Sequence, residues 1–422
     1  MNNVKKPMIL VGTLGGFALF LMSVYRLFIG VENYLTNYVA GLGELDKAAK
    51  AAAKQAARPG YDKVSYIMLA IAVVLLALGI WSYISAKKKQ KQLTKKDPAN
   101  VSPYLNRIEK VVGTCSRVRP VLIMLLAGAV FACMHPRFLT VSNFTNIISQ
   151  YSHYGILAAG VCFAILIGGI DISLGSVLAF AGVIAAMIVS SGASVVLAIL
   201  AALVIGALAG CFNGVFIAHF KLQPMIVTLA TMSIFRGACM VVTNAKPVSC
   251  GKLPGSEIFK AIGQKSLFGV VPYTILLLAL VYVVTFYILN MTSYGRHVYA
   301  VGGNEDAARL SGINVESTKI IAHTICGLFA GIAGIVVTAR GATAQPTAGD
   351  GYEMDAIAAA VIGGISLRGG EGQVLFTIAG TIIIGMLNNI LNLLNVASHY
   401  QPIIKGAVIL FAVLLDSRSR KK

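Results

Sequence analysis

Residues 155–176 read Gly155-ILAAGVCFAILIGGIDISLG-Ser176. An uninterrupted apolar run ends on a glycine pair, one carboxylate and two hydroxyls follow, and a second apolar run begins at once. At bilayer depth such a backbone break is tolerated only where protein or a water-filled cavity satisfies its polar groups. The pattern recurs as Ala356-IAAA followed by Ile362-GGISLRGG, again leading into an apolar segment, and Lys221-LQPMI is answered by Tyr400-QPII. Two similar units in the same order at comparable separations indicate duplicated halves around a midplane pathway, a recurrent plan of transporters. The copies are open to either a parallel or an inverted relation.

Composition points the same way. Of 422 residues, 57% are hydrophobic and 12% charged, against about 25% charged in soluble domains, so one all-α, bilayer-embedded domain is expected. The net charge of +19 sits in short basic stretches flanking apolar runs, the pattern of cytoplasmic loops rather than of a nucleic-acid surface. Seven cysteines lie mostly in apolar segments without a C-x-x-C pair or clustered histidines; they read as packing residues, and no metal site is implied.

Apolar windows place membrane segments near 8–30, 63–86, 119–135, 147–167, 174–190, 194–218, 225–243, 271–290, 319–339, 355–366, 373–391 and 402–416, about twelve in all. The first is too long for the apolar core of a secretory signal and is kept as a span. The piece 355–366 is too short to cross alone and reads as a half-helix. Lysine and arginine around residues 5–6, 87–96, 296–309 and 418–422 fall on one side, which places both termini in the cytoplasm. The stretch 244–270, placed outside, carries Lys246, Lys252, Lys260 and Lys265 against that rule. Residues 1–100 form an appended hairpin with a lysine-rich linker; between its two spans Leu45-DKAAKAAAKQAAR is Ala-rich and ends at Pro59-Gly60, the pattern of a short helix. Residues 101–422 form the main transmembrane domain.

Asp171 and Ser173 have two readings: groups lining a pathway, or caps of the next helix in a short interfacial loop. The second copy has no acid and adds Arg368, so the two are chemically unequal. Asn213, Gln223, Asn388, Asn389, Asn392 and Gln401 lie in or beside apolar segments. There an amide either bonds across helices or offers neutral donors and acceptors to a passing polyol. Glu353 and Asp355 open a segment and suit the positive end of its helix dipole.

Tyr294-GRHVYAVGGNEDAARLSGINVESTK is a long polar stretch in a chain whose other central loops are short. Gly303 or Asn304 can cap a short helix, with Glu305 and Asp306 in its first turn, Arg309 near its end and Gly312 as its stop. Such a helix suits docking on a soluble partner through Ala307, Ala308 and Leu310; a plain connecting loop is the alternative. No G-x-x-x-x-G-K-[ST] phosphate loop and no nucleophile, base and acid constellation occurs, so any energy for transport comes from a partner or an ion gradient.

GGIDISLGS, Val301-GGNEDAARLSGINV, Ala344-QPTAGDGYEMDAIAAAVIGG, Gly385-MLNNILNLL and Tyr400-QPIIKGAVILFAVLLD resemble the permease subunits of bacterial monosaccharide ABC importers, the ribose, galactose and xylose group, with ribose-type wording nearest. The resemblance spans residues 103–422 and is less specific for the sugar than for the family. It implies about ten core helices, a permease homodimer in the bacterial cytoplasmic (inner) membrane, and no cofactor in this chain. It also implies a partner ATPase with two fused nucleotide-binding units that holds ATP and Mg, and a periplasmic or lipid-anchored sugar-binding protein. Carried onto this sequence, Gly302 to Gly312, with Gly303, Asn304, Glu305, Ala308, Arg309 and Leu310, is the coupling helix that meets the ATPase. The hairpin of residues 1–100 departs from the family pattern. The alternative function is an ion-coupled secondary transporter, for which Asp171 is the candidate membrane acid.

Overall fold

The computed structural model describes residues 119–410, apart from 136, 137, 139, 252, 269, 270, 408 and 409. The spans expected at 8–30 and 63–86, the Ala-rich helix between them, the basic linker, residues 411–416 of the last span and both termini lie outside these residues.

Twelve helices follow one another: α1 Arg119–Met134, α2 Val141–Leu166, α3 Leu174–Ser190, α4 Val195–Ala218, α5 Pro224–Thr243, α6 Pro254–Gln264, α7 Tyr273–Met291, α8 Ser293–Gly303, α9 Glu305–Leu310, α10 Val315–Gly341, α11 Tyr352–Ile362 and α12 Thr377–Leu393. Residues 401–407 are again helical. A 3-10 turn, Val374–Phe376, leads into α12, and two short antiparallel pairs complete the described chain: β1 Val248–Ser249 with β4 Thr343–Ala344, and β2 Ser266–Leu267 with β3 Val271–Pro272. Among the described residues five helical stretches are long and apolar enough to cross a bilayer: α4, α5, α7, α10 and Val374–Leu393. This is a polytopic helical membrane protein.

Most apolar windows coincide with helices, and the exceptions have physical causes. α2 begins at Val141 rather than near 147, because Ser142, Asn143, Thr145 and Asn146 hide its first turns from an apolar count while Thr140 Oγ1 caps it, accepting from Asn143 N at 3.3 Å. α11 has 11 residues, the half-helix expected. α6 was not visible as a helix; it seats Phe259, fully buried, and its Gly263 lies so close to the α10 backbone that a methyl would overlap Arg340 N.

α10, 27 residues long and so about 40 Å at 1.5 Å per residue, is the axis. Ala198, Ala202, Gly206, Gly210 and Gly214 recur every fourth residue on α4 and are all buried. A Cβ on Gly206, Gly210 or Gly214 would collide with the α10 backbone at Gly327, His323 or Ile320, and one on Gly331 with Ala202 O. On another face of α10, Gly334 meets Leu178 O of α3, and Gly182 of α3 meets Thr338 of α10. The outward face of α4 carries Val196, Leu200, Val204 and Leu208, all exposed, as a lipid-facing surface should.

The repeated motifs run side by side. Tyr154 of α2 and Tyr352 at the start of α11 have ring centroids 4.8 Å apart, and at the other end Gly370 N donates to Leu166 O at 2.8 Å. α2 and α11 therefore point the same way, and both break at one end, with Gly168 at φ +82° and Gly364 at φ +93°. α9 stands at the N-terminal end of α10, while the 244–270 stretch is pinned through β1 and β4 beyond its C-terminal end. The stretch Leu391–Gln401 groups apart from the rest of the described chain; within it Gln401 Nε2 donates to Asn392 Oδ1 at 2.9 Å and to Val396 O at 3.1 Å.

Gly210→Val is expected to lower stability by about 1–3 kcal/mol or more, because α4 has no room to give, and to lower the midpoint of thermal unfolding in detergent. Gly237→Ala, where a methyl meets no neighbour, serves as the matched control and leaves the midpoint unchanged or raised.

Candidate functional site

After α2 the backbone turns through Gly168, and Gly169 N returns to Ala164 O at 2.9 Å. The turn delivers Asp171 into the interior, where it is fully buried. One carboxylate oxygen accepts from Ser173 N at 2.9 Å and from Ser173 Oγ at 2.6 Å. The other lies 3.5 Å from Nδ1 of His323 on α10. Ser173 Oγ in turn accepts from Asn213 Nδ2 of α4 at 3.0 Å. Asp171 accepts from Ser173 within its own turn, in the protein interior and not in a surface loop, and α3 starts after Ser173 without a side-chain cap hydrogen bond, so the capping alternative is not met. A charge so placed is costly unless paired and hydrogen-bonded, and three elements converge to supply the partners. His323 Nε2 and Asn213 Oδ1 are buried without a hydrogen-bond partner among the described residues.

Beside this cluster opens a cavity of about 330 Å³, within the range of small-ligand sites. Its walls come from the break (Gly168, Gly169), the turn between α4 and α5 (Lys221) with the first residue of α5 (Pro224), α9 (Glu305, Arg309) and α10 (Lys319, His323). The buried imidazole lines it together with four charged side chains and with apolar ones such as Ile217, Leu222 and Val315.

The segment that carries those charges has its own caps. Thr292 Oγ1 accepts from Gly295 N at the start of α8, Asn304 Oδ1 from Ala307 N at the start of α9, and Asn314 Oδ1 from Ser317 N at the start of α10. Gly312 at φ +82° stops α9, as the sequence predicts. Lys319 Nζ pairs with Glu305 at 2.6 Å, and Arg309 reaches Glu316 at 2.8 Å and Glu305 at 3.7 Å. Exposed pairs of this kind contribute little stability; their effect is to fix α9 against α10. Ala308 turns inward, 4% exposed, so the outward side of α9 presents Leu310, 89% exposed, with Ala307. Upstream, Gly302 touches Leu166 O and Gly370 N so closely that no side chain fits, and Tyr299 Oη donates to Gly372 O at 3.0 Å. The α8–α9 segment thus touches both breaks.

Other residues singled out from the sequence lie elsewhere. Gln223 is exposed at the start of α5. Asn388 Nδ2 donates to Ile384 O of its own helix at 3.1 Å, and Asn389 exchanges two 2.9 Å hydrogen bonds with Asn143 of α2. Sequence reasoning missed His323, whose one signal is an imidazole inside an apolar window. It also missed a second group midway along α2: His153, with neither ring nitrogen partnered among the described residues, lies 4.3 Å from the Tyr154 ring and 4.9 Å from that of Tyr352. Near it Lys405 pairs with Asp355 at 2.9 Å. No cluster of three metal-ligating side chains occurs among the described residues.

Residues 143–413 match the family described as branched-chain amino acid transport system / permease component. The ribose import permease protein of Escherichia coli (strain K12) is 45% identical over 302 residues, 72% of this chain and 94% of that protein. The chain belongs to this permease family. The permease is also 46% identical over 299 residues to the ribose import permease protein of Haemophilus influenzae (71% of this chain, 92% of that protein). The D-allose transport system permease protein of Escherichia coli (strain K12) is 37% identical over 296 residues (70% and 89%). No solved structure matches. The permease is a multi-pass membrane protein and a transport subunit, not an enzyme.

Asp171→Ala and His323→Ala are each expected to lower the permease's stability by about 1–3 kcal/mol, because each leaves a buried polar partner unsatisfied. The double variant loses less than the sum, by about 0.5–3 kcal/mol, in a thermal-unfolding cycle of the four proteins in detergent.

Proposed function

We propose that this permease carries ribose, or a closely related aldose, across the bacterial cytoplasmic membrane as the transmembrane subunit of an ATP-binding-cassette importer. The observation that carries the reading is 45% identity extending over 94% of a ribose import permease protein. About ten core helices, with residues 1–100 appended, work as a homodimer. A cytoplasmic ATPase with two fused nucleotide-binding units holds ATP and Mg, and a periplasmic or lipid-anchored binding protein delivers the sugar. Both termini and α9 face the cytoplasm.

α9 is the coupling helix: Gly303 and Asn304 start it, Gly312 ends it, and Leu310 projects from it toward the ATPase. Ala308 anchors it to the core, and Glu305 and Arg309 tie it to α10 through Lys319 and Glu316. Closure of the ATPase around ATP shifts α9. The ion pairs carry that shift to α10, and Gly302 carries it to both breaks. Asp171, Ser173 and Asn213 lie where the first break would open, and hydroxyl, amide and carboxylate groups suit a neutral polyol. Asn389, committed to Asn143, and Asn388, bonded within α12, hold helices in place, while Gln223 stands exposed at the start of α5 and Gln401 is committed to Asn392 and Val396.

Uptake of labelled ribose into proteoliposomes is expected to require ATP, the partner ATPase and the binding protein together. Glu305→Lys lowers uptake severalfold, and adding Lys319→Glu restores part of it by reversing the pair. Ribose transport by the permease alone under an ion gradient overturns the importer reading, and failure of the reversed pair to restore uptake overturns the role of the ion pair.

A further inference from the structure

The cavity beside Asp171 carries chemistry that transport of a neutral sugar does not need. Of the four charged side chains lining it, Lys221, Arg309 and Lys319 are cationic and only Glu305 is acidic; Glu316 pairs with Arg309 and also lies within reach of the Lys221 charge. Lys221 forms no ion pair among the described residues and projects from the α4–α5 turn with its backbone at φ +55°. On the same lining His323, fully buried, has Nδ1 turned to Asp171. Its unpartnered Nε2 lies against Gly169, where a methyl would come within 3.5 Å of it, and Gly169 lines the cavity too. Three cations and a buried, unpaired imidazole nitrogen lining one cavity describe a ligand that is anionic at one end and hydroxylated at the other.

We infer that this cavity is an inhibitory site for a phosphorylated monosaccharide, with the phosphate on Lys221, Arg309 and Lys319 and a hydroxyl on His323 Nε2. The volume of about 330 Å³ is at the lower end of small-ligand sites, which suits one sugar ring with its phosphate. Three elements contribute the cations: the α4–α5 turn, α9 and α10. A dianion bridging them competes with Glu305 for Lys319 and fastens α9 to the turn, so the coupling helix can no longer move independently. The class of reaction that consumes imported sugar by phosphorylating it thereby produces the inhibitor on the side where the cavity opens. This inference rests on the proposed importer reading and on α9 facing the cytoplasm.

The test uses proteoliposomes holding the full chain with its ATPase, ATP inside and loaded binding protein outside, the lumen containing ribose 5-phosphate, ribose, inorganic phosphate or none of them. Each protein's rate is normalised to its own rate in vesicles without these solutes; absence of uptake there counts against the importer reading and not against the site. Binding of radiolabelled ribose 5-phosphate to the purified complex in detergent then decides the site alone. Ribose 5-phosphate is expected to lower the initial rate severalfold, with ribose and inorganic phosphate much weaker. Lys221→Asn removes the charge while keeping a residue type that accepts the left-handed backbone, and it raises the concentration needed by about tenfold. Equal inhibition by ribose, equal inhibition by inorganic phosphate, no inhibition at all, or an unchanged response in Lys221→Asn each overturns the inference. So does inhibition that follows the anionic phospholipid content of the vesicle instead of its contents.

Discussion

Close backbone contact between α4 and α10 is the constraint on which the other helices depend. Lipid tails solvate leucine as well as another helix does, so apolar burial cannot drive two membrane helices together; van der Waals packing must, and it is strongest where small residues let backbones approach. The stripe from Ala198 to Gly214 supplies that approach, and Gly327 and Gly331 answer it. With α10 held there, its remaining faces fall against α2 and α3, and the position of His323 opposite the first break follows from the same register.

That register explains how a carboxylate is kept in the interior. Asp171 draws on its own turn through Ser173, on α4 through Asn213 by way of Ser173, and on α10 through His323. Each partner belongs to a different element of the glycine-packed unit, so the cluster is complete only when that unit is assembled. Buried polar groups in a bilayer carry a high cost unless satisfied, and the cluster therefore reports on helix packing as well as on any ligand.

Much of this was legible in the sequence, for reasons specific to each segment. α3 and α4 stand within a residue of their apolar windows because both are apolar throughout, and α9 was readable because Asn304, Glu305 and Gly312 are local start and stop signals. The first turns of α2 were hidden by polar residues, Ser142 and Asn146 exposed and Asn143 bonded to Asn389, and α6 by its small, mixed composition. The shared direction of α2 and α11 depends on contacts between residues about 200 positions apart, which no local pattern encodes. Asp171, Ser173 and Asn213 were found as separate polar residues in apolar company. That they form one group, with His323 as its fourth member and Gln223, Asn388, Asn389 and Gln401 outside it, is a tertiary fact.

The hydrogen bond from Gly370 N to Leu166 O has a consequence in time. The last carbonyls of any helix lack intrahelical partners, and here one copy of the repeated motif supplies the donor that the other copy's helix end needs. Ribosomes add about 5–20 residues per second, so Leu166 emerges on the order of 10–40 s before the residue that completes it. During synthesis the first half waits, its helix end open at the membrane, and duplication has turned two formerly similar units into parts that are finished only in each other's presence.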